Sequence, residues 1–378
     1  MPSINMQQCF VRNEQLKHYP KVSINSIPSR YLLMISSTSN IYGKCLFVLI
    51  VFITNLVHCR GLLYMSLDSV FSVQLRTFIY FLHGNWIFMV FYLRYNHNLL
   101  KQIDEHWNGL QIDFDYETRK YFWTRKAFYR YLTYVLFTLS IIITYGSQFY
   151  AWNDKDNSKL SREVFFKQNI IFYFLLMICV PIVYFNYIFQ CFIQMDLPIL
   201  AQTAVQFNLI RLKRLLNEAK KDEKSLNINA IQNIRQKYLL CCGLVDKIDE
   251  VMSPCLFLMF TDFVVHASAL SHALLYTELN QSTQWAVVMQ NSLNLINAWL
   301  FTRSTLQIHE KSLESLAIVY KLSMKTNSIH LLNEISLFLN HNEIGFTFGG
   351  MFMLTTSSLS TLFSVLITFI LALPSFAT

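Results

Sequence analysis

Apolar runs too long and too free of charge for a water-soluble core dominate this sequence. From Ile344 to the end, 35 residues carry no Asp, Glu, Lys or Arg, and 131–152, 168–195 and 279–302 are equally free of them. About 20 apolar residues in helical form cross the ~30 Å hydrocarbon layer of a bilayer. Inside that layer the backbone must satisfy its own hydrogen bonds, which leaves helices or closed barrels. Composition decides between them: 53% of residues are hydrophobic, 14% are charged, and nine Gly and seven Pro are too few for a turn-rich all-β chain. Soluble domains are about 25% charged. The expected fold is an all-α integral membrane protein; a disordered chain is excluded and a soluble enzyme is not expected.

Seven segments have the length: 41–59, 69–93, 131–152, 168–195, 254–277, 279–302 and 344–378. Residues 1–40 are polar and broken by Pro2, Pro20 and Pro28, so the first run at Ile41 reads as a retained signal-anchor, not a cleaved leader. Lys and Arg orient the helices, because basic loops stay in the cytosol. Residues 1–44, 94–130, 194–254 and 303–344 hold 25 of the 31 basic residues, while Arg60, 153–167 and 278–283 hold 5. The N-terminus is therefore expected in the cytosol and the C-terminus outside. The net charge of +8 reports this topology and gives no reason to expect nucleic acid.

The long inner loops carry apolar residues at helical spacing. Leu209, Leu212, Leu215 and Leu216 share one face, and Ile231, Ile234, Tyr238, Leu239 and Cys242 repeat the pattern. Leu306, Leu313, Leu316, Ala317 and Val319 form a third stripe, and Ile329, Leu332, Ile335 and Leu339 a fourth. These segments are expected to continue the fourth, fifth and sixth crossings into a cytosolic helical bundle, an anchor domain whose stripes need a partner surface. The division is a cytosolic segment 1–40, membrane helices one to four over 41–195, cytosolic extensions over 196–253, helices five and six over 254–302, cytosolic helices over 303–343 and a last helix over 344–378. No Cys pair sits in an outer loop, and Cys241-Cys242 lacks CxxC spacing, so neither a disulfide framework nor a metal or cofactor is expected.

Polar and aromatic groups collect in the outer halves of helices two to six. They are Arg76, His83 and Trp86; Tyr145, Gln148 and Tyr150; Gln168, Asn169 and Tyr173; His266 and His272; and Trp285, Gln290, Asn291 and Asn294. Aromatic walls with a few polar groups suit a small-molecule pocket, with interhelical packing as the other reading of each residue. Asp262 is an ionisable group within a membrane run, either functional or close to the inner interface. His266 lies four residues after Asp262, yet no HxxE, HEXXH or GxSxG run occurs, so an enzyme is not expected. A transporter would show paired repeats. A G-protein-coupled receptor would have the opposite orientation.

The last run places Ser357, Thr361, Ser364, Thr368 and Ser375 on one helical face. Such a face lines a wet path or packs closely against another helix. At its end, Thr368-Phe369-Ile370-Leu371-Ala372-Leu373-Pro374-Ser375-Phe376 resembles the C-terminal pattern of insect gustatory receptors, Thr-Tyr, five apolar residues, then Gln-Phe. Thr368 and Phe376 match, Phe369 replaces Tyr, and Pro374 and Ser375 depart from the pattern. Upstream, Gly350-Met351-Phe352 resembles the family's Gly-Leu-Phe.

The resemblance implies a ligand-gated, non-selective cation channel in the plasma membrane, related in fold to insect odorant receptors. It implies a homotetramer or a heteromer with related receptors, a small-molecule tastant such as a bitter or plant-derived compound, and a central pore lined by the last helix. Phe376 would be the hydrophobic gate, with Ser375 where the family has Gln. The charge asymmetry itself is testable with epitope tags on intact cells. A C-terminal tag is expected to stain without permeabilisation and an N-terminal tag only after it; the reverse pattern would reject the topology.

Overall fold

The computed structural model describes residues 19–22, 30–67, 82, 85–112, 115–153, 170–221, 227–276, 282–340 and 343–372. In chain order its elements are α1 (Arg30–Met34), α2 (Ile41–Leu67), α3 (His97–Leu110), α4 (Tyr116–Asn153), α5 (Ile170–Lys221), α6 (Ile228–Tyr276), α7 (Ser282–Ser323), α8 (Ile329–Leu339), a hairpin of β1 (Thr347–Phe348) and β2 (Phe352–Met353), and α9 (Thr356–Ala372). Residues 85–94 are also helical.

Helix length sets the architecture. α4, α5, α6 and α7 have 38, 52, 49 and 42 residues. At ~1.5 Å per residue they measure roughly 57–78 Å, about twice the ~30 Å hydrocarbon layer. Each therefore projects well beyond a membrane. Tyr116–Ile143, Ile182–Lys220 and Ile228–Ser268 within them are long and apolar enough to cross one. The expected continuity of apolar run and polar extension is present in α5, α6 and α7.

α5 is the axis of the chain. Every residue from Phe192 to Val205 is buried, which a helix achieves only when neighbours surround it. Those neighbours are α7, α4, α6 and α2. Leu209, Leu212 and Leu215 of α5 and Ile231, Ile234 and Tyr238 of α6 join the same core. The fourth stripe is rotated from its expected position. Leu331, Ile335 and Phe338 are the buried face of α8, while Ile329 is 73% exposed. The Phe338 ring lies 4.8 Å from that of Tyr238, and this aromatic contact fixes the rotation. Leu239 and Leu313 are likewise exposed. The buried stripes find their partners within one chain, so they do not themselves demand a second copy.

Buried polar groups tie the axis to its neighbours. Asp196, 1% exposed on α5, sits 3.0 Å from Arg130 and 3.7 Å from Lys126 of α4. The Tyr121 hydroxyl donates to Gln202 Oε1 at 3.1 Å and accepts from Lys311 Nζ at 2.6 Å. The Gln202 amide in turn donates to the carbonyl and the hydroxyl of Ser304. These bonds link α4, α5 and α7 at one level.

The apolar stretch from Ile344 is not one helix, which corrects the expected start of the last segment. Gly349 and Gly350 have φ of 61° and 75°, a left-handed conformation that glycine adopts without strain. They turn the chain into a hairpin that pairs Thr347 with Met353 and Phe348 with Phe352. Thr347 donates through its N–H and hydroxyl to the Asp249 carboxylate at 3.0 and 2.5 Å, and Gly349 N–H donates to the Ser253 carbonyl at 3.2 Å. The helix begins only at Thr356. The hairpin thus hangs α9 from the middle of α6, beside Pro254. Pro254 has no N–H, so the Glu250 carbonyl lacks its helical donor; Arg94 Nη1 supplies one at 2.5 Å.

Lys311 makes this packing sensitive to pH. Burial, reinforced by Arg125 and Lys213 and opposed by Glu314, pushes its ammonium down to about 7 from 10.5. Between those values the unfolded chain holds a proton that the folded chain does not, so stability rises with pH over that window and is flat below it. The melting temperature of detergent-purified protein is expected to climb from pH 7 to pH 9, and Lys311→Met to lose that slope. An identical slope in the variant would rule out Lys311 as its source.

Candidate functional site

Three helices bring polar side chains together inside the apolar half of the bundle. Each group enters through helical spacing: Gln290, Asn291 and Asn294 lie within about one turn on α7, His266 projects from α6, and Ser140 from α4. His266 and Asn291 are buried. His266 Nδ1 is 2.7 Å from Asn291 Oδ1, and Asn294 Nδ2 is 3.0 Å from His266 Nε2. The amide oxygen accepts and the amide nitrogen donates, so the network assigns the ring proton to Nδ1 and leaves Nε2 as acceptor. Gln290 Nε2 reaches Ser140 Oγ at 3.3 Å and Asn294 Oδ1 at 3.4 Å.

One acceptor in this cluster is open. Gln290 Oε1 is buried with no hydrogen-bond partner among the described residues. A buried acceptor left unsatisfied costs about 1–3 kcal/mol. A small molecule carrying a hydroxyl or amine donor would relieve that cost. The arrangement suits hydrogen-bond recognition at an otherwise apolar depth.

Of the sequence candidates, His266, Gln290, Asn291 and Asn294 are brought together. Trp86 and Trp285 are 57% and 55% exposed on the outer surface of the chain and are not part of the cluster. Arg76, His83, Gln168, Asn169, Ser375 and Phe376 lie outside the described residues, as do the side chains of Tyr145, Gln148, Tyr150, Tyr173, Asp262 and His272. Ser357, Thr361, Ser364 and Thr368 share the exposed side of α9. Thr361, Ser364 and Thr368 donate to the carbonyls four residues before them, at 3.1, 2.9 and 2.9 Å, which keeps their oxygens available as acceptors. On the other side of α9, the Phe363 ring lies 5.2 Å from Phe263 and 6.4 Å from Trp299.

Two polar features escaped the sequence reading. Ser140 is one hydroxyl in a long apolar run and carries no local signal. The Asp196 cluster does carry one: Lys126 and Arg130 are four residues apart, and Asp196 is the first charge after the 168–195 run. A cleft of about 890 Å³ opens away from the polar cluster, between α1, the start of α2 and α3.

Asn291→Ala is expected to destabilise the fold by about 1–3 kcal/mol, because the buried 2.7 Å bond between His266 Nδ1 and Asn291 Oδ1 is removed. Replacing both partners together, His266→Leu with Asn291→Leu, is expected to cost less than the sum of the single changes. A double-mutant cycle on thermal melting measures this, and strict additivity would show that the bond carries no coupling.

The family described as 7tm chemosensory receptor matches residues 87–373. No curated protein matches in sequence. Among solved structures, the insect olfactory receptor OR5 from Machilis hrabei is similar in fold, with a TM-score of 0.56 at 14% identity, covering 97% of this chain and 98% of that one. The likeness runs over nearly the whole of both chains, as expected for an all-α membrane fold. With the family match extending over more than half of its length, the chain belongs to the 7tm chemosensory receptor family.

Proposed function

We propose that the protein is a gustatory chemoreceptor of the plasma membrane that acts as a ligand-gated, non-selective cation channel. The observation that carries this reading is the two-faced character of α9. Its Phe363 side packs on Phe263 of α6, while Ser357, Thr361, Ser364 and Thr368 are exposed. A membrane helix that turns hydroxyls away from its own chain is satisfied when copies gather around a wet axis, where hydroxyls replace part of an ion's hydration shell. Four subunits, identical or related, form that axis, with the N-terminus in the cytosol and the long helical extensions as the anchor between them.

The ligand is a small molecule, of the bitter or plant-derived class, bound in the outer half of the bundle at the His266–Asn291–Asn294 network. Gln290 Oε1 takes a donor from it. Binding opens the pore only if the ligand prefers the open state. In the closed state a ring of four Phe376 side chains narrows and dewets the path. Pro374, two residues before Phe376, has no N–H to donate.

Purified protein in a planar bilayer tests this. Phe376→Ala is expected to raise current without ligand while expression stays normal. Gln290→Ala is expected to shift the ligand concentration for half-response about ten-fold, the scale of one hydrogen bond in a buried site. Parent protein that passes no current with any ligand would reject the channel. A silent Phe376→Ala channel would move the gate to Phe369, which follows Thr361 at the same eight-residue spacing that separates Thr368 from Phe376.

A further inference from the structure

Two membrane boundaries meet at one cleft. The second apolar run ends at Leu93-Arg94 and the fifth begins at Ser253-Pro254. Arg94 bridges them by holding the Glu250 carbonyl, so the two segments leave the apolar layer at the same level. Between them lies a cleft of about 440 Å³, lined by Leu93, Arg94, Asn96, Gln102, Lys247 and Glu250 among others. That volume falls within the ~300–1,000 Å³ of small-molecule sites.

The lining has a definite chemistry. The Glu250 carboxylate is engaged by Lys247 at 2.6 Å. Arg94 has no carboxylate within 4.0 Å among the described residues, and one of its N–H donors is spent on a neutral carbonyl. A guanidinium offers five donors in a planar fork, which suits phosphate oxygens. α3 starts in the wall of the cleft, with Asn96 as its cap accepting from Leu99 N–H, and adds the positive end of a helix dipole. Leu93, exposed at the rim, continues onto the apolar surface of the membrane run.

A cationic, amide-lined cleft with an apolar lip at the edge of the hydrocarbon layer fits a phosphate joined to acyl chains better than a free anion, which would leave the lip wet. We infer that this cleft binds an anionic phospholipid, its phosphate between Arg94 and Lys247 and its acyl chains along Leu93. That the lipid belongs to the cytosolic leaflet rests on the orientation proposed above. The phosphate takes the unspent donors of Arg94 without displacing its bond to Glu250.

Full-length receptor in neutral detergent, titrated with fluorescent phosphatidylserine, tests the site without any current measurement. Saturable binding is expected, several-fold tighter than for fluorescent phosphatidylcholine. Lys247→Gln is expected to weaken it about five-fold, the scale of one basic residue near an anionic lipid surface. Arg94→Gln is expected to weaken it at least as much, with Arg94→Lys restoring part of the loss; matched melting curves separate binding from folding. Equal binding of the two lipids, or parent-like binding by both Gln variants, would overturn the proposal. Binding of glycerophosphoserine as tight as that of the whole lipid would overturn the lipid source in favour of a soluble phosphate. A receptor that binds phosphatidylserine as expected yet passes no current would leave this site standing while the channel reading fell.

Discussion

A helix twice as long as a bilayer is thick lives in two solvents, and everything else in this structure follows from that. In lipid, apolar side chains gain nothing from being hidden, because acyl chains are as apolar as leucine. In water they gain roughly 25 cal/mol per Å². The same α5 therefore needs different glue along its length. Its buried stretch from Phe192 to Val205 lies where the two regimes meet, and the charged and amide bonds at Asp196 and Gln202 are concentrated there. Below it, Leu209, Leu212 and Leu215 pack as a soluble bundle does.

Placing charge at that junction has a cost that geometry must offset. A buried ion pair often breaks even against an apolar isostere, but removing one partner leaves an uncompensated charge. Asp196 faces two cations on α4, and Lys126 also lies 5.3 and 5.2 Å over the Phe122 and Trp123 rings. The arrangement specifies how α4 and α5 register against one another, where interchangeable apolar side chains would allow sliding.

Much of this was legible in the sequence because periods and charges report solvent, and solvent decides burial. The apolar runs, the continuity of α5, α6 and α7 with their extensions, and the hydroxyl face of α9 all follow from counting. The misplaced features have separate causes. Ile329, Leu332, Ile335 and Leu339 fit a helical stripe as well as Leu331, Ile335 and Phe338 do, and only the meeting of Phe338 with Tyr238 chooses between them. The hairpin was hidden for a different reason. An uncharged stretch from Ile344 satisfies hydropathy whether or not it is helical, and Gly349-Gly350 was the local cue that outranks it. Of the polar candidates, those on one turn of α7 converged with His266, whereas single aromatic residues such as Trp86 and Trp285 had no neighbour in the sequence to fix which way they face.

The hairpin gives α9 the mechanics of a cantilever. Its base is clamped by Thr347 on Asp249 and Gly349 on Ser253, and its 17 described residues extend roughly 25 Å from the clamp at ~1.5 Å per residue. Leverage then converts angle into displacement. A tilt of ~5° at the two glycines carries the far end about 2 Å sideways over that length, a distance comparable to the diameter of a bare sodium ion. The clamped end of α9 is thus the end that moves least, and a small change of angle there has its largest effect at the end farthest from it.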